Sequence, residues 1–294
     1  MQDRINRAVT LLASGQPIYY VGGHTGHILT YDKGREDATT WADYINVGME
    51  HGAFDMSGLG MYMQGLVDGG PTASGHRTPT VIVEVPVDGS SESVVRNNAW
   101  QFRQILARGV HGILLCMAES ADAVRAFVES CRYPTNTVGV GRGLRVGRRG
   151  RGSEPEAAAI WGISQEAYID RADPWPLNPR GELLLGVKIE SLEGLSNVEQ
   201  VLSVPGLGFA EMGPGDLGLA MGYKQVPREP FPPDMQRARD RVFRACRANG
   251  LAFLESCTPQ TVVEKIDAGV RVIAGGREET AKEGRTHTRR AMPV

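Results

Sequence analysis

Eight short apolar runs, set apart by turn residues or by stretches of helical pattern, limit what this chain can fold into. They are Pro17–Val21, Tyr44–Met49, Thr80–Pro86, Gly112–Met117, Leu183–Glu190, Gly208–Gly213, Leu251–Glu255 and Val270–Gly275. Continuous apolar runs of this length, rich in β-branched residues, suit strands covered on both faces and hence parallel strands. Between them, Val94–Arg108, Ser120–Ser130 and Pro233–Asn249 carry helical patterning. Ser120 is placed to cap its helix with Asp122 in the first turn, and Gly250 to end the last one. Strand and helix alternating eight times predict an α/β fold, a closed TIM (β/α)8 barrel, with an open doubly wound sheet as the alternative. The chain shows no internal repeat and no linker, so 1–294 reads as a single barrel domain with an insertion at about 139–180.

That insertion opens with G-R-G-L-R-V-G-R-R-G-R-G, which places Arg142, Arg145, Arg148, Arg149 and Arg151 among glycines. It reads either as a mobile lid carrying positive charge to an anionic substrate, or as a solvated loop balanced by Glu154 and Glu156. The rest of the composition narrows the partners. A hydrophobic share of 41% with 22% charged residues fits a soluble globular protein. A net charge of −2 argues against nucleic acid. The four scattered cysteines, Cys116, Cys131, Cys246 and Cys257, fit free thiols in a reducing cytoplasm. No apolar run spans a bilayer and no signal core follows Met1, so no membrane is expected. No phosphate-binding glycine motif occurs in a strand–turn–helix context, so no nucleotide cofactor is expected.

Barrel chemistry is built at the carboxyl ends of the strands. Three of these ends carry polar groups straight after apolar runs: Glu50-His51-Gly52, Lys188-Ile189-Glu190, and Glu211 through Asp216. A carboxylate leaving a buried strand is costly unless a cation sits beside it. Glu190 and Asp216, on neighbouring strands, therefore suit a hard divalent ion that prefers oxygen ligands. The bland alternative is that each caps the helix that follows. His24 and His27, after the first run, face the same mouth and read either as substrate or metal contacts or as a polar loop. Asp88 reads as a turn residue, His111 as structural, and Met56, Met61 and Met63 as core.

At these residues the chain resembles the HpcH/HpaI aldolases, whose wider group includes the citrate lyase β-subunit. Ile189-Glu190-Ser191-Leu192-Glu193-Gly194-Leu195-Ser196-Asn197 is similar to the family's I-E-T-x-x-G-L-x-N. Gly213-Pro214-Gly215-Asp216-Leu217 with Met221-Gly222 is similar to G-P-x-D-L followed by S-x-G, and Glu50-His51-Gly52 to D-x-E-H-G. Val85-Pro86 stands at the family's R-V-P, and Arg132-Tyr133-Pro134 at its R-Y-P-P. The resemblance runs over roughly residues 17 to 276. It implies a metal-dependent aldolase acting on a small 2-oxo acid and an aldehyde, with magnesium, manganese or cobalt as the ion and a homo-oligomeric assembly. Carried over, Glu190 and Asp216 are metal ligands, and His51 is the acid/base group or the holder of a water. Gly213, Pro214, Glu50 and Arg142 line the substrate.

The departures fall on the same site. Gly48 stands at the Asp of D-x-E-H-G, Glu84 at the Arg of R-V-P, Lys188 at a Gln, and Ala107 at an Asp. The glycine loop matches only loosely, as Gly139-Val140-Gly141-Arg142-Gly143. Glu84 and Lys188 are treated as catalytic candidates in three ways: they pair, Glu84 joins the metal shell, or Lys188 is the amine of a Schiff-base mechanism. A relative that has lost catalysis is a fourth reading. Two function classes stay open. One is the lyase. The other is the same barrel put to a hydratase, isomerase or decarboxylase reaction, or to binding a small acid without catalysis.

Overall fold

The computed structural model describes residues 4–274 and 276–294. Eight parallel strands close into a barrel: β1 (Ile18–Gly23), β2 (Tyr44–Gly48), β3 (Thr80–Asp88), β4 (Gly112–Cys116), β6 (Leu183–Ile189), β7 (Phe209–Met212), β8 (Ala252–Ser256) and β9 (Val272–Ala274). A two-residue strand, β5 (Pro174–Trp175), pairs with the start of β6 outside the ring. Closure comes from β4 on β6, with Gly112 opposite Leu184, which excludes the open sheet. Each of the eight apolar runs supplies one barrel strand; Gly275, the end of the last run, lies outside the described residues.

Two apolar layers follow from strands buried on both faces. Ile18, Tyr20, Tyr44, Ile82, Leu114, Leu184, Phe209, Leu254 and Val272 fill the barrel interior. Ala8, Val9 and Leu11 join this inner cluster from the helix Arg7–Ala13. Their neighbour Asn6 reaches Glu182 and His111 at the start of the strands, so this helix closes the amino end of the barrel. Outward-facing residues such as Val83, Ile113 and Leu185 pack against Phe102, Phe127 and Tyr62 of the surrounding helices. Ser120 caps the helix Ala121–Cys131 through Ala123 N at 3.1 Å. Gly250, in the left-handed region at φ +67°, follows the helix Pro233–Ala248.

Most of the arginine-rich segment is solvated, with Arg142, Arg145, Arg148 and Arg151 exposed and Arg151 3.5 Å from Glu154, but Arg149 is an exception. Arg149 is buried, with its guanidinium 4.5 Å from the Tyr133 ring centre and 5.1 Å from that of Tyr168. Arg132 is also buried and pairs with Asp173 at 2.6 Å. The helices Glu154–Trp161 and Gln165–Arg171 occupy the rest of the insertion. Gly139 packs beside Leu177, and Gly143 beside Pro205. Those two residues precede β6 and β7, so Arg142, which is exposed, lies towards the amino ends of the strands. This corrects its expected place at the substrate mouth. A segment leaving a helix to enter a strand must return to the amino end of the barrel.

Candidate active site

Lys188 organises the carboxyl end of the barrel. It stands near the end of β6 with its side chain buried, and its Nζ lies 2.7 Å from Glu50, 2.9 Å from Glu84 and 3.0 Å from Glu190. Burial alone would pull the ammonium down. The negative potential of the carboxylates around it, Glu190, Glu84 and Glu211, outweighs this, so the group is held charged well above the ordinary lysine range. An ammonium held charged by three carboxylates at 2.7–3.0 Å is a poor nucleophile, which weighs against the Schiff-base alternative.

Glu84, near the middle of β3, is wholly buried. Besides Lys188 it accepts from Asn46 Nδ2 at 3.2 Å and from His24 Nδ1, at 2.8 Å to one oxygen and 2.7 Å to the other. Burial works to raise its pKa. The His24 hydrogen bond and the Lys188 charge overcome that and hold Glu84 down at about 2. In turn the hydrogen bond to Glu84 raises His24. His27 turns away from the mouth and bonds Asp37 and Tyr62 at 3.0 and 3.1 Å.

Glu190 directly follows β6 and is buried. Its Oε1 accepts from Met117 N at 2.7 Å, for which Met117 adopts the left-handed region at φ +47°. A bulky residue holding that conformation stores local strain, as functional sites often do. Its Oε2 touches Lys188 but has no aligned hydrogen bond among the described residues. Burial raises the Glu190 pKa, with Glu50 adding to the effect against Lys188. Gly213 permits this placement, because a Cβ there would stand 2.5 Å from Glu190 Oε2. Asp216 follows in the first turn of the helix Pro214–Ala220.

Glu50, His51 and Asp216 bring one donor atom each within 4.8 Å of one another. Glu50, Glu84 and Cys116 also converge; Lys188 lies against both carboxylates of that group, whereas in the first group it touches Glu50 alone. Two carboxylates and an imidazole from the segments after β2 and β7 fit a hard divalent ion, but Glu190, expected to pair with Asp216 there, is not among them: its Oε1 accepts from Met117 N and its Oε2 lies 3.0 Å from Lys188. His51 is half-exposed at the rim, 3.6 Å from Glu50.

Two further features drew little or no weight from the sequence. Glu211 on β7, an acid inside an apolar strand, is fully buried with an unpartnered Oε2, and burial pushes it up to about 7. It borders a cavity of about 460 Å³ at the ends of β7 and β8, walled by Met212, Pro214, Val226, Phe231 and Phe253. His24 is the other, since a histidine between glycines gives no sign of a carboxylate partner 60 residues away.

Residues 79–278 match the model of the HpcH/HpaI aldolase/citrate lyase family. The chain is 28% identical over 240 residues to a 2-keto-3-deoxy-L-rhamnonate aldolase of Klebsiella pneumoniae, covering 81% of this chain and 76% of that protein. It is 29% identical over 219 residues to a 4-hydroxy-2-oxo-heptane-1,7-dioate aldolase of Shigella sonnei, covering 73% and 76%. The fold matches a crystal structure of an HpcH/HpaI aldolase/citrate lyase family protein from Burkholderia cenocepacia with TM-score 0.69 at 19% identity, covering 96% of each chain. No described helix is long and apolar enough to cross a membrane. The chain belongs to the HpcH/HpaI aldolase/citrate lyase family and is a lyase of its metal-dependent, class II aldolase type.

Proposed function

We propose that this chain, acting as one barrel domain, cleaves or forms the carbon–carbon bond between a pyruvate-type 2-oxo acid and an aldehyde. The observation that supports this reading best is the convergence of Glu50, His51 and Asp216 at the carboxyl end of the barrel. Glu190 and Asp216, with Glu50 alongside, would hold a magnesium, manganese or cobalt ion. Bound there, it supplies Lewis-acid stabilisation of the charge that develops on the keto oxygen. The Gly213-Pro214 turn seats the oxo acid's carboxylate. His51, directly or through a water it holds, moves the proton on the carbon next to the carbonyl. Lys188 keeps Glu50, Glu84 and Glu190 in place and offsets part of their charge. The cavity beside Glu211 receives the aldehyde. The buried cysteines support a reducing, cytoplasmic setting. Large exposed apolar side chains such as Trp100 and Leu219 support a homo-oligomer.

The test is pyruvate release from the two compounds named for the relatives, followed through a metal titration. Activity should vanish with chelator and return with one of the three ions. Glu190→Gln and Asp216→Asn should each lower it by about 100-fold or more. Turnover that survives complete metal removal would refute the reading.

A further inference from the structure

Aldol chemistry moves two protons, one on the carbon beside the carbonyl and one on the oxygen of the acceptor. The mouth carries two imidazoles backed by carboxylates on adjoining loops: His51 beside Glu50, and His24 beside Glu84. Both loops meet through the backbone, with His51 N donating to His24 O at 3.4 Å. Only the His51 donor atom converges with Glu50 and Asp216. Hence His51 serves the oxo acid, and His24 is free for the other reactant.

The His24 seat is built. Glu84 receives Nδ1 and is itself fixed by Lys188 and Asn46, which sets the ring plane. Nε2 carries no hydrogen bond among the described residues, and the side chain is 40% exposed at the mouth. The departure at Gly48 belongs to the same seat. A Cβ there would lie 2.2 Å from Gly23 O and 2.4 Å from the His24 carbonyl carbon and oxygen, so any larger residue would push the His24 loop out. Gly48, Glu84 and Lys188 are thus one coupled change around one imidazole.

Resting on the aldolase reading above, we propose that His24 is a second catalytic residue, oriented by Glu84, that handles the proton of the aldehyde-derived oxygen. In cleavage, Nε2 takes the proton of the hydroxyl. The O–H electron pair becomes the carbonyl of the departing aldehyde, and the pair of the breaking carbon–carbon bond passes to the oxo acid as its enolate. In synthesis each transfer runs in reverse, and His24 returns the proton to the new alkoxide.

The experiment compares two rates in the metal-loaded protein. One is deuterium exchange into the methyl group of pyruvate, which needs no aldehyde. The other is aldol turnover, as cleavage of the relatives' two named compounds and addition of pyruvate to glycolaldehyde. His24→Gln should lower aldol turnover by about 10²–10³-fold while exchange stays within about twofold. Added imidazole should partly restore turnover to His24→Ala. Equal loss of both rates, or no loss of turnover, in His24→Gln overturns the assignment. So does a wild-type protein that exchanges without aldol turnover. A wild-type protein with neither activity defeats the aldolase reading itself.

Discussion

Lys188 touches three carboxylates in a buried site, and its removal would leave them uncompensated. Lys188→Met should cost about 3–5 kcal/mol of unfolding free energy by denaturant titration, the usual penalty for breaking a buried ion pair. Borohydride with pyruvate should trap no adduct on the wild-type protein, and a labelled Lys188 peptide would contradict that account. Two buried acids should shape the pH dependence in opposite senses. Glu84 is held at about 2 against an ordinary 4.5, so its stabilisation is present above 4.5 and is lost as pH falls towards 2. Glu211 is raised to about 7, so its contribution is intact below 4.5 and is lost as pH rises to 7. Glu211→Gln should therefore match wild type at pH about 4 and gain about 1–3 kcal/mol at pH about 8 in the same assay.

At the scale of elements, the turn from β7 into the helix Pro214–Ala220 exists to let Glu190 past Gly213. Gly213→Ala should displace Glu190 and raise the metal concentration needed for half-maximal turnover by about 10–100-fold, read from a metal titration. The strands were legible because a strand buried on both faces must be apolar throughout, and a helix such as Ala121–Cys131 because Ser120 and Asp122 mark its start. Glu50, His51, Glu190 and Asp216 were legible because polar residues at strand ends break the apolar pattern. Pairing across the barrel is not written locally. The approach of His24 to Glu84 needs the closed ring and the space left at Gly48. The placing of Arg142 failed for a different reason. Its charge and glycine neighbours drew attention, although the connection from helix to strand fixes which end of the barrel it joins.

Over the whole molecule, chemistry and anchoring occupy opposite ends. At the amino end, buried Asp43 accepts from Arg290 at 2.8 Å, Arg285 at 3.2 Å and Tyr19 N at 3.0 Å, with Arg7 beside it. The C-terminal helix Glu278–His287 and the segment after it are thereby tied to their own barrel. Asp43→Ala should cost about 3–5 kcal/mol of stability, measured by denaturant titration, because it strands buried arginines. Turnover per folded molecule should stay unchanged.

A fixed ammonium among the acids of the mouth also bears on how the protein is handled. With Lys188 already neutralising part of the cluster, the folded state does not depend on an ion to hold its acids together. Exhaustive dialysis against a chelator should leave an intact, refillable barrel, with a melting temperature lowered only by the mass-action share of the lost ligand. Collapse of the fold on stripping would mean that the lysine does not do this.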